Sequence, residues 1–259
     1  MNDTRILELD AVQNFRDYGG YGAADGRRVK RGLLWRSGEH GDASDDDLDR
    51  IAALDIQHIV DLRGNGEREA SPCRRHPEFD GEVLFYDGDT GGLAPLLEQN
   101  DGRMTEEDAH QAMETIYAAL PKRDNLLWIM RRYFTTLAKG EGASLIHCHA
   151  GKDRTGMSVA LLHHALGVHP DDAMADFLLT NEASDLDRRV ASVGPEVREK
   201  YGPMSDGAVR ALMGVDERYL VAARKAVEEA SGSVDAFLED VLEVDAGRVE
   251  ALRLHLLEP

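Results

Sequence analysis

The sequence predicts an α/β protein, with a mainly parallel central sheet flanked by helices on both faces and extra helices toward the C-terminus. Three observations carry this. Short runs that suit buried strands occur at 33–36, 56–62, 82–86 and 143–147. Amphipathic or apolar segments of helical length separate several of them, the alternation expected of parallel strands, which need long crossovers. A chain of 259 residues with 42% hydrophobic content can bury one large core, so residues 1–259 are read as one domain.

Taken in order, residues 10–40 hold Gly-rich turns around the strand Leu33–Arg36. Ser44 is an N-cap, and Asp45, Asp46 and Asp47 favour the first turn of a helix running to Leu54. Ile56–Leu62 and Glu82–Tyr86 are strands joined by the charged, Pro-containing stretch Glu67–Phe79. A loop and a helix, Thr105–Leu120, fill Gly91–Lys122, and the amphipathic Asp124–Ala138 leads into the strand Ala143–His147. From Thr155 an apolar helix runs to Leu166, closed by Gly167 and Pro170. After a turn at Thr180-Asn181-Glu182, the polar stretch Asp185–Met213 reads as helix broken at Gly194-Pro195 and again at Gly202-Pro203. Beyond Asp216, apolar positions between Tyr219 and Leu257 recur at helical spacing and read as packing. No internal repeat is evident.

The segment His147-Cys148-His149-Ala150-Gly151-Lys152-Asp153-Arg154-Thr155-Gly156 places Cys148 and Arg154 on either side of a five-residue loop, between a strand end and a helix N-terminus. Unpaired amides and the positive end of the helix dipole favour an anion there. The same environment depresses a thiol pKa, and a thiolate is the competent nucleophile toward phosphorus. Arg154 offers a planar fork that grips two phosphate oxygens. Thr155 can donate to the sulfur as it leaves, and Gly151 and Gly156 suit a tight loop close to a ligand. An isolated cysteine is more often a buried structural residue. The spacing of His, Cys, Gly, Arg, Thr and Gly favours the nucleophile instead.

This loop resembles the signature loop of the cysteine-dependent protein tyrosine phosphatase superfamily. Its Gly-Lys-Asp-Arg-Thr variant is similar to that of bacterial atypical members, triple-specificity or lipid-phosphatase-like. The likeness extends over most of the chain, through Asn14–Gly20, Gly32–Gly38, Ile59–Arg63, Asp176–Asn181 and Gly232–Leu238. It implies a phosphatase acting on phosphotyrosine first, with phosphoserine, phosphothreonine or phosphoinositides as further substrates, through a cysteinyl phosphate. It implies no cofactor and no metal. His149, Ala150, Gly151, Lys152, Asp153 and Arg154 would bind the phosphate, with His147, Asp61 and Gly156 in support.

The leaving group needs a proton. The Trp-Pro-Asp tripeptide of typical members is absent, and two aspartates are candidate replacements. Asp153, inside the loop, is implied by atypical relatives, and Asp89 lies on a glycine-flanked loop after Glu82–Tyr86, with neighbouring Asp87 a third candidate. Asp-Gly pairs also mark ordinary turns, which is the competing reading for Asp87 and Asp89. Lys152 reads as a contact for a second acidic group or as a solvated loop lysine. Arg63 reads as a pocket residue at a strand's C-terminal edge or, with Asp61, as an ion pair that holds the loop. Segments 91–122 and 185–213 are candidate helical lids, and ordinary surface helices are the alternative.

The net charge of −19 speaks against nucleic acid and anionic membrane as partners, and leaves phosphate attraction to local positive charge. No stretch reaches the length of a membrane span, and Met1–Asp10 lacks a signal-peptide pattern. Two cysteines, Cys73 and Cys148, fit a reducing compartment, so the expectation is cytoplasmic, with leaderless secretion left open. Cys73 reads as an incidental exposed thiol. The rival functions are thiolate-loop sulfur transfer or arsenate reduction, and a non-catalytic module that holds a phosphorylated partner. The residues fix neither the physiological substrate nor the oligomeric state.

Overall fold

Five strands form the central sheet in the order β1-β3-β6-β4-β5: β1 (Arg16–Asp17), β3 (Leu34–Ser37), β6 (Ala143–His147), β4 (Ile56–Asp61) and β5 (Glu82–Phe85). The computed structural model describes residues 5–89 and 104–259. β3, β6, β4 and β5 are mutually parallel, and the short β1 closes the other edge antiparallel to β3. A separate antiparallel ribbon pairs β2 (Arg28–Val29) with β7 (Leu257–Glu258), tying the chain end back to the first turns. The fold is α/β, and four expected strands occupy their places to within a residue.

Alternation along the strands assigns the two faces. Ile59 and Leu145 face a small cluster with Val12, Phe15 and Leu48. Their neighbours Val60 and Ile146 face the main core. The small face is covered by α1 (Asp45–Ala52), which begins in a capping box between Ser44 and Asp47. The large face carries α4 (Asp124–Leu137), α5 (Asp153–Leu166), α10 (Glu217–Ser231) and α12 (Ala246–Leu256). β6 lies between β3 and β4 with all five residues buried, so its C-terminal end is fixed from both sides.

A third cluster stands apart from the sheet. Met104 and Ala109 of the chain leading into and through α3 (Glu106–Ala119) pack with Leu186 of α8 (Leu186–Tyr201), Met204, and Ala208, Val209 and Met213 of α9 (Asp206–Met213). These elements therefore share a small core of their own beside the phosphate-loop helix α5.

Two expectations are corrected. Gly194-Pro195 does not break α8, which runs through both residues and stops at Gly202, where φ is +90°. Gly194 is a packing glycine, since a Cβ there would sit 3.3 Å from Val209 Cγ1. After β4, Asn65–Ala70 forms a short helix, α2, whose Glu67 accepts from the Gly64 N–H. The expected turn at 180–182 is instead a single helical turn, α7 (Thr180–Ala183), which follows α6 (Pro170–Leu178). A three-residue helical turn, α11 (Val234–Ala236), precedes the last helix. Of the expected lid 91–122, residues 91–103 lie outside the described residues.

Candidate active site

The carboxyl ends of three parallel strands meet at one place: Ser37 of β3, Asp61 of β4 and His147 of β6, immediately before Cys148. Such an edge is where open parallel sheets hold ligands. Cys148 is buried, with 2% of its surface exposed, and α5 starts five residues later.

What shapes the loop is the fate of its carbonyls. His149 O accepts from Glu39 N at 2.9 Å. Ala150 O accepts from Asn14 Nδ2 at 3.3 Å, and Gly151 O accepts from Asn14 Nδ2 at 2.8 Å and from Arg36 Nη2 at 2.9 Å. A trans, planar peptide sends each following N–H the opposite way. The amides of Ala150, Gly151 and Lys152 therefore turn from the scaffold toward the concave side, together with the first amides of α5. Gly151 has φ +65°, and a Cβ there would lie 2.1 Å from Ser37 O, so no other residue fits without moving the loop. Gly156 makes room for Phe177, whose ring would be 2.8 Å from an added Cβ.

Arg154 is gripped at both ends of its fork: Nη1 donates to Glu67 Oε2 at 2.6 Å and Nη2 to Glu67 Oε1 at 2.7 Å, while Nη1 also reaches Leu62 O at 3.2 Å. Burial opposes its charge, but the Glu67 hydrogen bonds and the neighbouring Cys148 sulfur outweigh it and hold the guanidinium above its usual range. Burial likewise opposes the Glu67 carboxylate, and Arg154 keeps it below the ordinary carboxylate value. Arg123, at the start of α4, lies near enough that burial and Arg154 lower its own pKa.

Beneath the loop, Arg16 and Arg36 share one carboxylate. Asp176 Oδ2 accepts from Arg36 Nη1 at 2.7 Å and Asp176 Oδ1 from Arg16 Nε at 3.3 Å, and both arginine side chains are fully buried. Two guanidiniums against one carboxylate leave a positive excess under the loop.

The remaining candidates fall as follows. Asp153 is buried, and its Oδ1 lies 3.5 Å from Lys152 Nζ but accepts no hydrogen bond. Thr155 Oγ1 is buried without a bonded partner. Lys152 is neither solvated nor pointed at open solvent: Nζ donates to Leu212 O at 2.6 Å and Gly214 O at 3.1 Å, capping the end of α9. Burial lowers its pKa. Arg63 spends its donors on the scaffold, pairing with both oxygens of Asp61 at 2.9 Å and donating to Ser71 O at 2.8 Å and Cys73 Sγ at 3.0 Å. His147 Nδ1 lies 3.2 Å from Cys148 O, and its ring stacks on His40 at 5.4 Å. Asp89 is exposed, with its carbonyl accepting from Asn125 Nδ2 at 2.6 Å, and the Asp87 carboxylate accepts from Asn65 Nδ2 at 3.0 Å.

Cys73 is not an exposed thiol. It is half-buried and accepts from Arg63 and, at 3.3 Å, from His40 N. Ligand atoms of Asp61, Cys73 and His147 lie within 4.8 Å of one another. Arg63 already brings a positive charge to two of the three.

Sequence reasoning missed Glu67, Arg123, Asn14 as a loop clamp, and Tyr117 and Arg189. The last two reach Asp153 from α3 and α8: the Asp153 carboxylate acts on the ionisation of both. Only the capping position of Glu67 offered a local signal.

Comparison with known proteins agrees with this geometry. A family model described as "Tyrosine phosphatase family" matches residues 7–258. A chain of Cupriavidus necator named as a tyrosine-protein phosphatase is 35% identical over 97% of this chain and 88% of its own. The triple specificity protein phosphatase PtpB of Mycobacterium tuberculosis is 31% identical over 91% of this chain and 93% of its own. A tyrosine-protein phosphatase of Nostoc commune is 25% identical over 85% and 73%. With a phosphate-type loop at the sheet's carboxyl edge and a family match over nearly its whole length, the chain belongs to the tyrosine phosphatase family and is a phosphoric monoester hydrolase.

Proposed function

We propose that Cys148 is the nucleophile of a two-step phosphomonoester hydrolysis in which Asp153 is the general acid and base. One observation carries the reading: three successive loop carbonyls are tied to the scaffold, while Arg154 is fixed beside Cys148 by its two-pronged grip on Glu67. Cys148 Sγ bonds to phosphorus as the ester P–O bond breaks, and Asp153 gives its proton to the leaving oxygen. The amides of 149–154 and Arg154 bear the charge on the transferring group. Water then attacks phosphorus, Asp153 takes its proton, and the S–P bond breaks with the Thr155 hydroxyl donating to the departing sulfur. Orthophosphate and an alcohol or phenol are the products.

Phosphotyrosine is the first substrate, with phosphoserine, phosphothreonine and phosphoinositides as the wider set suggested by the triple specificity relative. Arg63, Asp61 and His147 are scaffold, and Asp89 is outside the chemistry. α8 and α9, with the start of α3 that packs on them, act as a lid that lifts for protein substrates, because Lys152 of the loop is bonded to α9 while Cys148 is covered. No described helix is long and apolar enough to cross a membrane, and we place the enzyme in the cytoplasm on the two free cysteines.

Cys148→Ser tests the chemistry. Turnover of p-nitrophenyl phosphate should fall to background while a phosphotyrosine peptide still binds, and rapid quenching of the unmodified enzyme should give a phosphorylated Cys148 peptide. Turnover near the unmodified rate in the variant would overturn the mechanism.

A further inference from the structure

Tyr117 Oη and Asp153 Oδ1 are both buried and lie close enough to interact, but they fall short of full hydrogen-bond geometry and neither atom has another partner. A buried hydroxyl without a partner costs stability, and a phenylalanine would fill the same space without that cost. The ring itself is well placed, 5.9 Å from Phe177 and 5.4 Å from Tyr219 between centroids, so packing accounts for the aromatic ring and not for its oxygen. The oxygen lies near enough to Asp153 and Cys148 for both to act on its ionisation. Burial first, then the Asp153 carboxylate and the Cys148 sulfur, hold the phenol well above its ordinary range. It is therefore a permanent donor that never competes for the acid's proton.

We propose that Tyr117 is the positioning residue of Asp153: its hydroxyl donates to Asp153 Oδ1 when a phosphoester occupies the loop, and this turns the other carboxyl oxygen, bearing the proton, toward the leaving group. The proposal rests on Asp153 being the acid. The bond closes with a small rotation of either side chain, and no atom is exchanged. Tyr117 lies in the C-terminal half of α3 and is buried in the main core, so the donor is fixed to the same core as the helix that carries Asp153. A carboxylic acid with one oxygen held has one orientation to offer, and alignment is where much of its rate contribution lies.

The experiment compares Tyr117→Phe, Asp153→Asn and the double variant on p-nitrophenyl phosphate, whose leaving group needs little protonation, and on phenyl phosphate, whose leaving group needs it. Tyr117→Phe should lower kcat on phenyl phosphate by roughly 10-fold more than on p-nitrophenyl phosphate, leave KM near its original value, and move the limb of the pH–rate profile that reports the acid. The double variant should be no worse than Asp153→Asn alone, since the hydroxyl acts only through that carboxyl. Melting temperature should be unchanged or raised. A Tyr117→Phe loss equal on both substrates, or additive with Asp153→Asn, overturns the positioning role alone. If Asp153→Asn itself shows no dependence on the leaving group, the acid assignment falls and takes this inference with it.

Discussion

Arg154 and Glu67 illustrate how one side-chain pair can do two jobs. Glu67 caps α2 through the Gly64 N–H and at the same time orients the guanidinium that must meet the phosphate. Glu67→Gln keeps the length and one acceptor but loses the charge and half of the fork. A charge-assisted hydrogen bond contributes roughly 1.5–3 kcal/mol, so kcat/KM should fall about 10- to 100-fold. Steady-state kinetics with a phosphotyrosine peptide check this, and a fall under threefold would mean that Arg154 finds its place unaided. Neither the pairing nor its size was visible in the sequence, because 87 positions separate the partners and no periodicity links them. Cys148, Arg154 and the loop glycines were visible, because their spacing alone sets up the anion site.

At the scale of elements, the link between α9 and the phosphate loop is the most informative. Lys152 donates to the last carbonyls of α9, and Asn181 brackets the next residue, donating to Val215 O at 2.9 Å and accepting from Val215 N at 2.8 Å. Lys152→Met removes one of these two ties. Amide hydrogen exchange over 206–213 should then quicken about 10-fold or more, while exchange in β6 stays as it was, and Cys148 should alkylate faster. Unchanged exchange in α9 would show that Asn181 alone suffices. The strands and long helices were legible because burial imposes a period: Leu145 and Ile146 must face opposite cores. The misread places have the opposite character. Pro195 looks like a helix end, yet α8 continues through it with Gly194 set close against Val209, a contact with no trace in local propensity. Lys152 read as a contact for an acidic group or as a solvated lysine because nothing in its neighbours announces that α9, sixty residues away, ends against it.

For the molecule as a whole, buried charge makes stability fall toward acid in two stages. His40, His147 and His163 are buried, which lowers each pKa, so each is neutral in the fold. A depressed folded pKa contributes stability that is present above the unfolded value, about 6.5, and is lost as pH falls below it. Asp61 is the second stage. Burial works against its charge, but Arg63 and His147, which is protonated by the time the pH reaches the carboxylate range, more than offset this and hold it at about 2, down from 3.8. Its contribution, about 2 kcal/mol, is present above roughly pH 4 and is lost between there and its folded value. Urea midpoints measured from pH 8 to 3 should be flat at first, decline below about 6.5, and steepen below about 4. A midpoint constant from pH 7 to 5 would contradict neutral buried histidines.

The pair of guanidiniums on Asp176 has one more consequence. Because one carboxylate serves two buried guanidiniums that come from different strands, losing it would leave both charges stranded in the interior at once. Asp176→Asn should therefore unfold the edge of the sheet before it touches the chemistry.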